Sequence, residues 1–196
     1  MKEIIIHIGI PKTGTTYIQH LLRQNIKNLS SSGITYPDIE SEHVEISYKE
    51  VSWEPSKNGI LLLDEDYINN ITSEKSLYSD ESLLRLLLED TKRIKMMKLL
   101  KKKGIRIKFI AFVRDFFEHS FSSWNQYIKR GIGSLEYLEY MNREDIYMDF
   151  KRLDKLIELS KTEKFSLEIY KYDKHKQDLF TFFLSKGLKI KEIQMF

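Results

Sequence analysis

Four apolar stretches set the rhythm of the chain. The first, "EIIIHIG" (residues 3–9), is a β-branched run closed by glycine, the pattern of a strand buried on both faces of a parallel sheet. "GILLLDED" (residues 59–66) predicts a second buried strand that runs out into acidic residues. "IRIKFIAFVR" (residues 105–114) predicts a third, alternating at first and then continuously apolar, and "FSLEIYKY" (residues 165–172) a late fourth. Between these runs the apolar spacing becomes helical. Ile18, Leu21 and Leu22 predict a helix over residues 15–25. Ser79 reads as the cap of a long helix over residues 80–103, with Leu83, Leu87, Ile94 and Met97 on one face and Gly104 at its end. Further helices are predicted over residues 117–131, 134–141, 149–160 and 176–185. Residues 27–58 are polar and aperiodic, with Gly33, Pro37 and Pro55, a length of connection that is usually functional or mobile. Strands alternating with helices predict an α/β fold, a parallel β-sheet flanked by helices in one domain over residues 1–196.

Composition narrows the function classes without choosing among them. With 196 residues, 41% hydrophobic and 31% charged, the chain can bury a core without covalent staples. It has no cysteine, so disulfides and thiolate zinc sites are excluded, and its five histidines show no ligand spacing. A net charge of +3 suits an anionic ligand but does not argue for nucleic acid. The run Lys101-Lys102-Lys103 reads as a cationic last helical turn rather than a nucleic-acid patch. No apolar run reaches the length of a membrane span, and the chain leads straight into a strand rather than a signal peptide; cytoplasmic is the expected location.

The chemistry concentrates in "HIGIPKTGTTYIQ", residues 7–19. Gly9 and Gly14 have the spacing of a Walker A loop, but Thr15 and Thr16 follow the second glycine where that loop has its lysine, and the loop's lysine is Lys12. The glycines let backbone N–H groups approach an anion, and the following helix adds its positive end. Thr13, Thr15 and Thr16 supply hydroxyls, and Lys12 a cation projecting from within the loop. A nucleotide kinase or NTPase is disfavoured by the missing lysine.

"PKTGTT", Pro11 to Thr16, following a strand, resembles the phosphosulfate-binding loop of sulfotransferases that use 3′-phosphoadenosine 5′-phosphosulfate (PAPS). "VRDFFEHSFSS" resembles the family's second signature, an arginine at a strand end with a serine on the next helix; here these are Arg114 and Ser122. The resemblance implies that both bind the 3′-phosphate that separates PAPS from ATP, a task suited to a fixed guanidinium and a helix-borne hydroxyl. "GITYP" and "SSWNQYIKRG" are similar to bacterial members that sulfate carbohydrates. The implied architecture is the P-loop-like one of sulfotransferases, and the implied activity is sulfuryl transfer from PAPS to a carbohydrate-like hydroxyl or amine. It implies 3′-phosphoadenosine 5′-phosphate as product, with no metal and no nucleic-acid partner. Lys12 would stabilise the leaving phosphate oxygen. Phe116 stands where the family has proline, which predicts a looser turn into the helix.

The acceptor must lose a proton as it attacks, so a general base is wanted. Glu65, in "LLLDEDYI", is similarly placed to the glutamate of the family's strand-end "SSE" segment, although Asp64 replaces its serine. The same acidic trio also reads as a solvated loop or a helix N-terminus. His43, in the long connection, is the competing base; His7 reads as a core residue and His119 as structural or surface. The alternatives are a catalytically inactive anion-binding module of the same fold and, further off, a small-molecule kinase.

Overall fold

The computed structural model describes residues 2–37, 58–81, 83–88, 90–163 and 165–190. β1 (Glu3–Ile8) leads through the glycine loop into α1 (Thr15–Gln24) and α2 (Ile26–Ser31). A 3-10 turn (Asn58–Leu63) then runs into α3 (Glu65–Asn69), β2 (Lys75–Asp80), α4 (Leu83–Leu87) and α5 (Asp90–Lys102). β3 (Arg106–Val113) is followed by α6 (Phe116–Lys129), α7 (Tyr137–Met141) and α8 (Met148–Glu163). β4 (Ser166–Lys171) is followed by α9 (Tyr172–His175), α10 (Leu179–Phe182) and a π-helical turn (Phe183–Gly187).

The strands form one four-stranded parallel sheet in the order β2-β1-β3-β4. Alternation along each strand divides the core between the two faces. Ile4, Ile6, Ile8, Tyr78, Phe109 and Ala111 face α4, α5 and α8 through Leu83, Leu87, Leu100 and Leu156. Ile5, Leu77, Ile110 and Phe112 face α1 and α10 through Ile18, Leu22, Leu179 and Phe183. The continuously apolar β1 and β3 are therefore the strands with neighbours on both edges, as their sequence requires.

Two expectations are corrected. Residues 59–66 are not a strand: "ILLL" closes the 3-10 turn, with Leu62 fully buried against the sheet. Asp64 caps α3, its Oδ1 accepting from the amides of Asp66 (2.8 Å) and Tyr67 (3.1 Å). A short apolar run buries equally well as a turn, which periodicity does not separate from a strand. The strand beside β1 is "KSLYSD", whose polar content hid it. Its serines are satisfied inside the fold, Ser76 Oγ against Ser73 Oγ (2.7 Å) and Ser79 Oγ against His7 Nδ1 (2.8 Å). Ser79 thus belongs to β2 rather than capping a helix, and the predicted long helix is split into α4 and α5.

The last turns are anchored from the far edge of the sheet. Lys108, buried and ion-paired with Glu168 (2.9 Å), donates to the Gly187 carbonyl, and Lys75 donates to that of Leu188 (2.7 Å). These bonds satisfy carbonyls that end a helical segment. They tie the end of the segment that follows β4 to β3 and β2.

Candidate active site

The carboxyl ends of parallel strands are where this class of sheet binds ligands, and the glycine loop lies there, between β1 and α1. Thr13, buried, donates from Oγ1 to the Ile10 carbonyl at 2.6 Å and pins the loop. Lys12 adopts φ 69° and Gly14, the residue before α1, φ 75°. A left-handed lysine is uncommon and marks a loop held in a conformation its sequence does not prefer. A side chain at Gly14 would meet Leu179 Cδ2 at 2.6 Å. At Gly9 it would collide with Thr15 and with Glu81, so only glycine lets these two close over the loop. The first turn of α1 has no side-chain cap and no acidic residue, leaving its N–H groups for an anion. Thr15 Oγ1 is buried without a hydrogen-bond partner of ordinary geometry. Bare backbone and uncapped amides together fit a phosphate-bearing ligand. Pro11 is half-buried and Thr16 exposed at the start of the helix.

Glu81 is the residue the sequence reading missed. It follows β2 directly, and because Ile8 and Asp80 are in register, it reaches the mouth of the loop. Burial raises its carboxyl above the usual range; the Thr15 hydroxyl and the Lys12 cation pull it back, while Asp80 and Asp149 push it further up. Lys12 is lowered by burial and by the Arg130 cation, and held up by Glu81. Glu81, not Glu65, stands directly after the strand that pairs with β1. Glu65 lies in the first turn of α3, exposed and ion-paired with Lys95 of α5 at 3.0 Å. His43 lies outside the described residues.

The second signature sits at the end of β3. Arg114 follows the strand, and Asp115 caps α6, its Oδ1 accepting from Phe117 N at 3.0 Å. The turn is not loosened by Phe116, whose ring stacks on Tyr147 (5.1 Å) and packs edge-on against Phe150. Ser122 is half-buried on α6, one turn beyond Glu118 and on the same helix face. His119 is buried, its ring edge-on to Phe150 at 5.1 Å. Burial lowers its pKa, opposed by Asp149 and the nearby Pro11 carbonyl. His7 packs between Phe112 and Phe183, with its pKa lowered to about 3 by burial.

Among the described residues, no group of three or more His, Asp or Glu could hold a metal ion, and no helix is long and apolar enough to cross a membrane. No protein-family model and no curated protein matches the chain. Among solved structures it is similar to a sulfotransferase from Alicyclobacillus acidocaldarius, at TM-score 0.48 and 12% identity, over 91% of this chain and 76% of that one. It is also similar to a de novo designed protein with a P-loop NTPase fold, at TM-score 0.40 and 10% identity, over 99% of both chains. Both likenesses are too distant to bear on activity.

Proposed function

We propose that the protein is a PAPS-dependent sulfotransferase acting on a hydroxyl or amine of a carbohydrate-like acceptor, with Glu81 rather than Glu65 as its general base. One observation carries the reading: Glu81 at the end of β2 and Thr15 at the start of α1 close over the bare Gly9, near enough to Lys12 for the two charges to act on each other. A cation for a leaving group and a carboxylate with a raised pKa for an attacking hydroxyl are the two functions such a transfer needs. The acceptor class rests on the resemblance of "GITYP" and "SSWNQYIKRG" to carbohydrate-modifying members.

When bound, PAPS supplies an activated sulfuryl group with a phosphate as leaving group. The residues that would hold it are the backbone and hydroxyls of residues 11–16, with Arg114 and Ser122 at the 3′-phosphate. Lys12 places positive charge at the loop. Its lowered pKa reflects desolvation, which strengthens that charge's interaction with an anion. Glu81 accepts the acceptor's proton, and its raised pKa brings it toward the basicity that task requires. The Thr15 hydroxyl and the Lys12 cation favour its ionised form.

The test compares Glu81→Gln with Glu65→Gln on an accepted acceptor, alongside calorimetry of 3′-phosphoadenosine 5′-phosphate and ATP with and without magnesium. The reading expects magnesium-independent preference for 3′-phosphoadenosine 5′-phosphate, loss of turnover in Glu81→Gln and normal turnover in Glu65→Gln. Equal or better affinity for ATP, or full activity in Glu81→Gln, overturns it.

A further inference from the structure

The Arg114 guanidinium is already engaged. Its Nε donates to Asp173 Oδ1 at 3.2 Å, its Nη2 donates to Glu118 Oε2 at 3.1 Å, and the Tyr172 ring centroid lies 5.4 Å from its central carbon. Only 18% of the Arg114 side chain is exposed. The two carboxylates differ in kind. Asp173, 35% exposed, belongs to the segment after β4 whose Tyr172 packs over the loop glycine. Glu118, 62% exposed, projects from the first turn of α6 on the face that carries Ser122.

We propose that Glu118 is an internal stand-in for the ligand's 3′-phosphate, while Asp173 is the positioning residue that holds the arginine for either occupant. This rests on the assignment of Arg114 and Ser122 to that phosphate. A guanidinium offers several donors, so one carboxylate at Nε leaves the terminal nitrogens for a second acceptor. An oxygen of Glu118 occupies one of them. A dianionic phosphate between Arg114 and Ser122 meets that carboxylate at close range, and like charges repel, so Glu118 swings outward. Its exposure makes the displacement easy, because an exposed ion pair is weak and its carboxylate is rehydrated on leaving. Asp173, tied to the anchored segment and sharing Arg114 with the Tyr172 ring, keeps the guanidinium aimed. Glu118 therefore sets affinity and selectivity: it keeps Arg114 neutralised and oriented until a ligand with enough charge arrives, and it weakens binding of any 3′-anion too weak to displace it.

The experiment is calorimetric titration of 3′-phosphoadenosine 5′-phosphate and of adenosine 5′-phosphate into the wild-type chain, Glu118→Gln and Asp173→Asn, with thermal melts confirming that each variant is folded. The wild type is expected to prefer the 3′-phosphorylated ligand. Glu118→Gln should tighten that ligand about three- to tenfold and leave adenosine 5′-phosphate unchanged. Asp173→Asn should weaken it about tenfold. Unchanged or weaker binding in Glu118→Gln, with the wild-type preference intact, overturns the stand-in role alone. Equal tightening by Asp173→Asn overturns the division between the two carboxylates. A wild type without preference for the 3′-phosphate overturns the underlying assignment, and this proposal with it.

Discussion

The two ends of the ligand-binding edge are built on opposite terms. At the β1–β2 end, the charged groups are half-buried and under-compensated: Lys12 is lowered and Glu81 raised, chiefly by burial, and Thr15 Oγ1 has no partner of ordinary geometry. At the β3–β4 end, Arg114 is saturated by two carboxylates and a ring. Perturbed groups in a cleft are the mark of chemistry, because a displaced pKa is stored interaction energy that a reaction can use. A guanidinium held by a half-buried carboxylate and paired with an exposed one suits recognition, because the exposed partner can give way to a ligand. Under the proposed function, turnover belongs to the first end and affinity to the second.

The sharpest way to break it is at the first end. Glu81→Gln should lower turnover on the order of 10²–10⁴ with ligand affinity kept, measured by steady-state kinetics beside calorimetry. The acidic limb of its pH–rate profile should lie above the usual carboxylate range in the parent chain and vanish in the variant, since the raised pKa means that activity appears only as pH rises and the proton leaves. Lys12→Ala should lower turnover on the order of a hundredfold, more than it weakens ground-state binding. An affinity loss without a rate loss would move Lys12 to the recognition end.

At the second end the expected effect is on binding. Arg114→Ala should weaken 3′-phosphoadenosine 5′-phosphate by about 2–4 kcal/mol, with the rate at saturation less affected. Calorimetry showing wild-type affinity would remove this end from the site.

The seam that brings Glu81 to the loop is itself pH-sensitive. His7, bonded to Ser79 across β1 and β2, has a folded-state pKa of about 3 against an ordinary 6.5. Between those values the unfolded chain binds a proton that the folded chain does not, so stability falls as pH drops from 6.5 toward 3. The slope from this group is about 1.4 kcal/mol per pH unit. Denaturant melts of the wild type and His7→Gln at several pH values should converge as the solution is acidified. The smallest effect is Ser122→Ala, about 1 kcal/mol of ligand affinity by calorimetry, because only a neutral donor is lost.

How much of this was legible follows from where each signal lives. β1, the glycine loop and β3 with its following helix are local patterns: a β-branched run, glycines at fixed spacing, an arginine at the end of an apolar strand. Each survives being read in isolation, because the backbone geometry it requires is encoded within a few residues. β2 was not legible, because it buries polar groups, and the Ser79 side chain and backbone N–H find their partners far back in the chain, in His7 and Asn58. Without those partners a polar segment reads as surface, while "ILLL" reads as core.

The base followed the strand. Reading residues 59–66 as the strand beside β1 puts Glu65 at its end as one candidate; with Lys75–Asp80 in that place, the carboxylate at the strand end is Glu81. The chain's own order thus determined the fold class, the loop, Lys12 and the Arg114–Ser122 pair, since all are set by neighbours along the backbone. Only the tertiary structure decided which carboxylate faces Lys12 and that Asp173 joins the i,i+4 neighbour Glu118 on Arg114, because strand pairing brings together residues whose separation in sequence carries no trace of their contact.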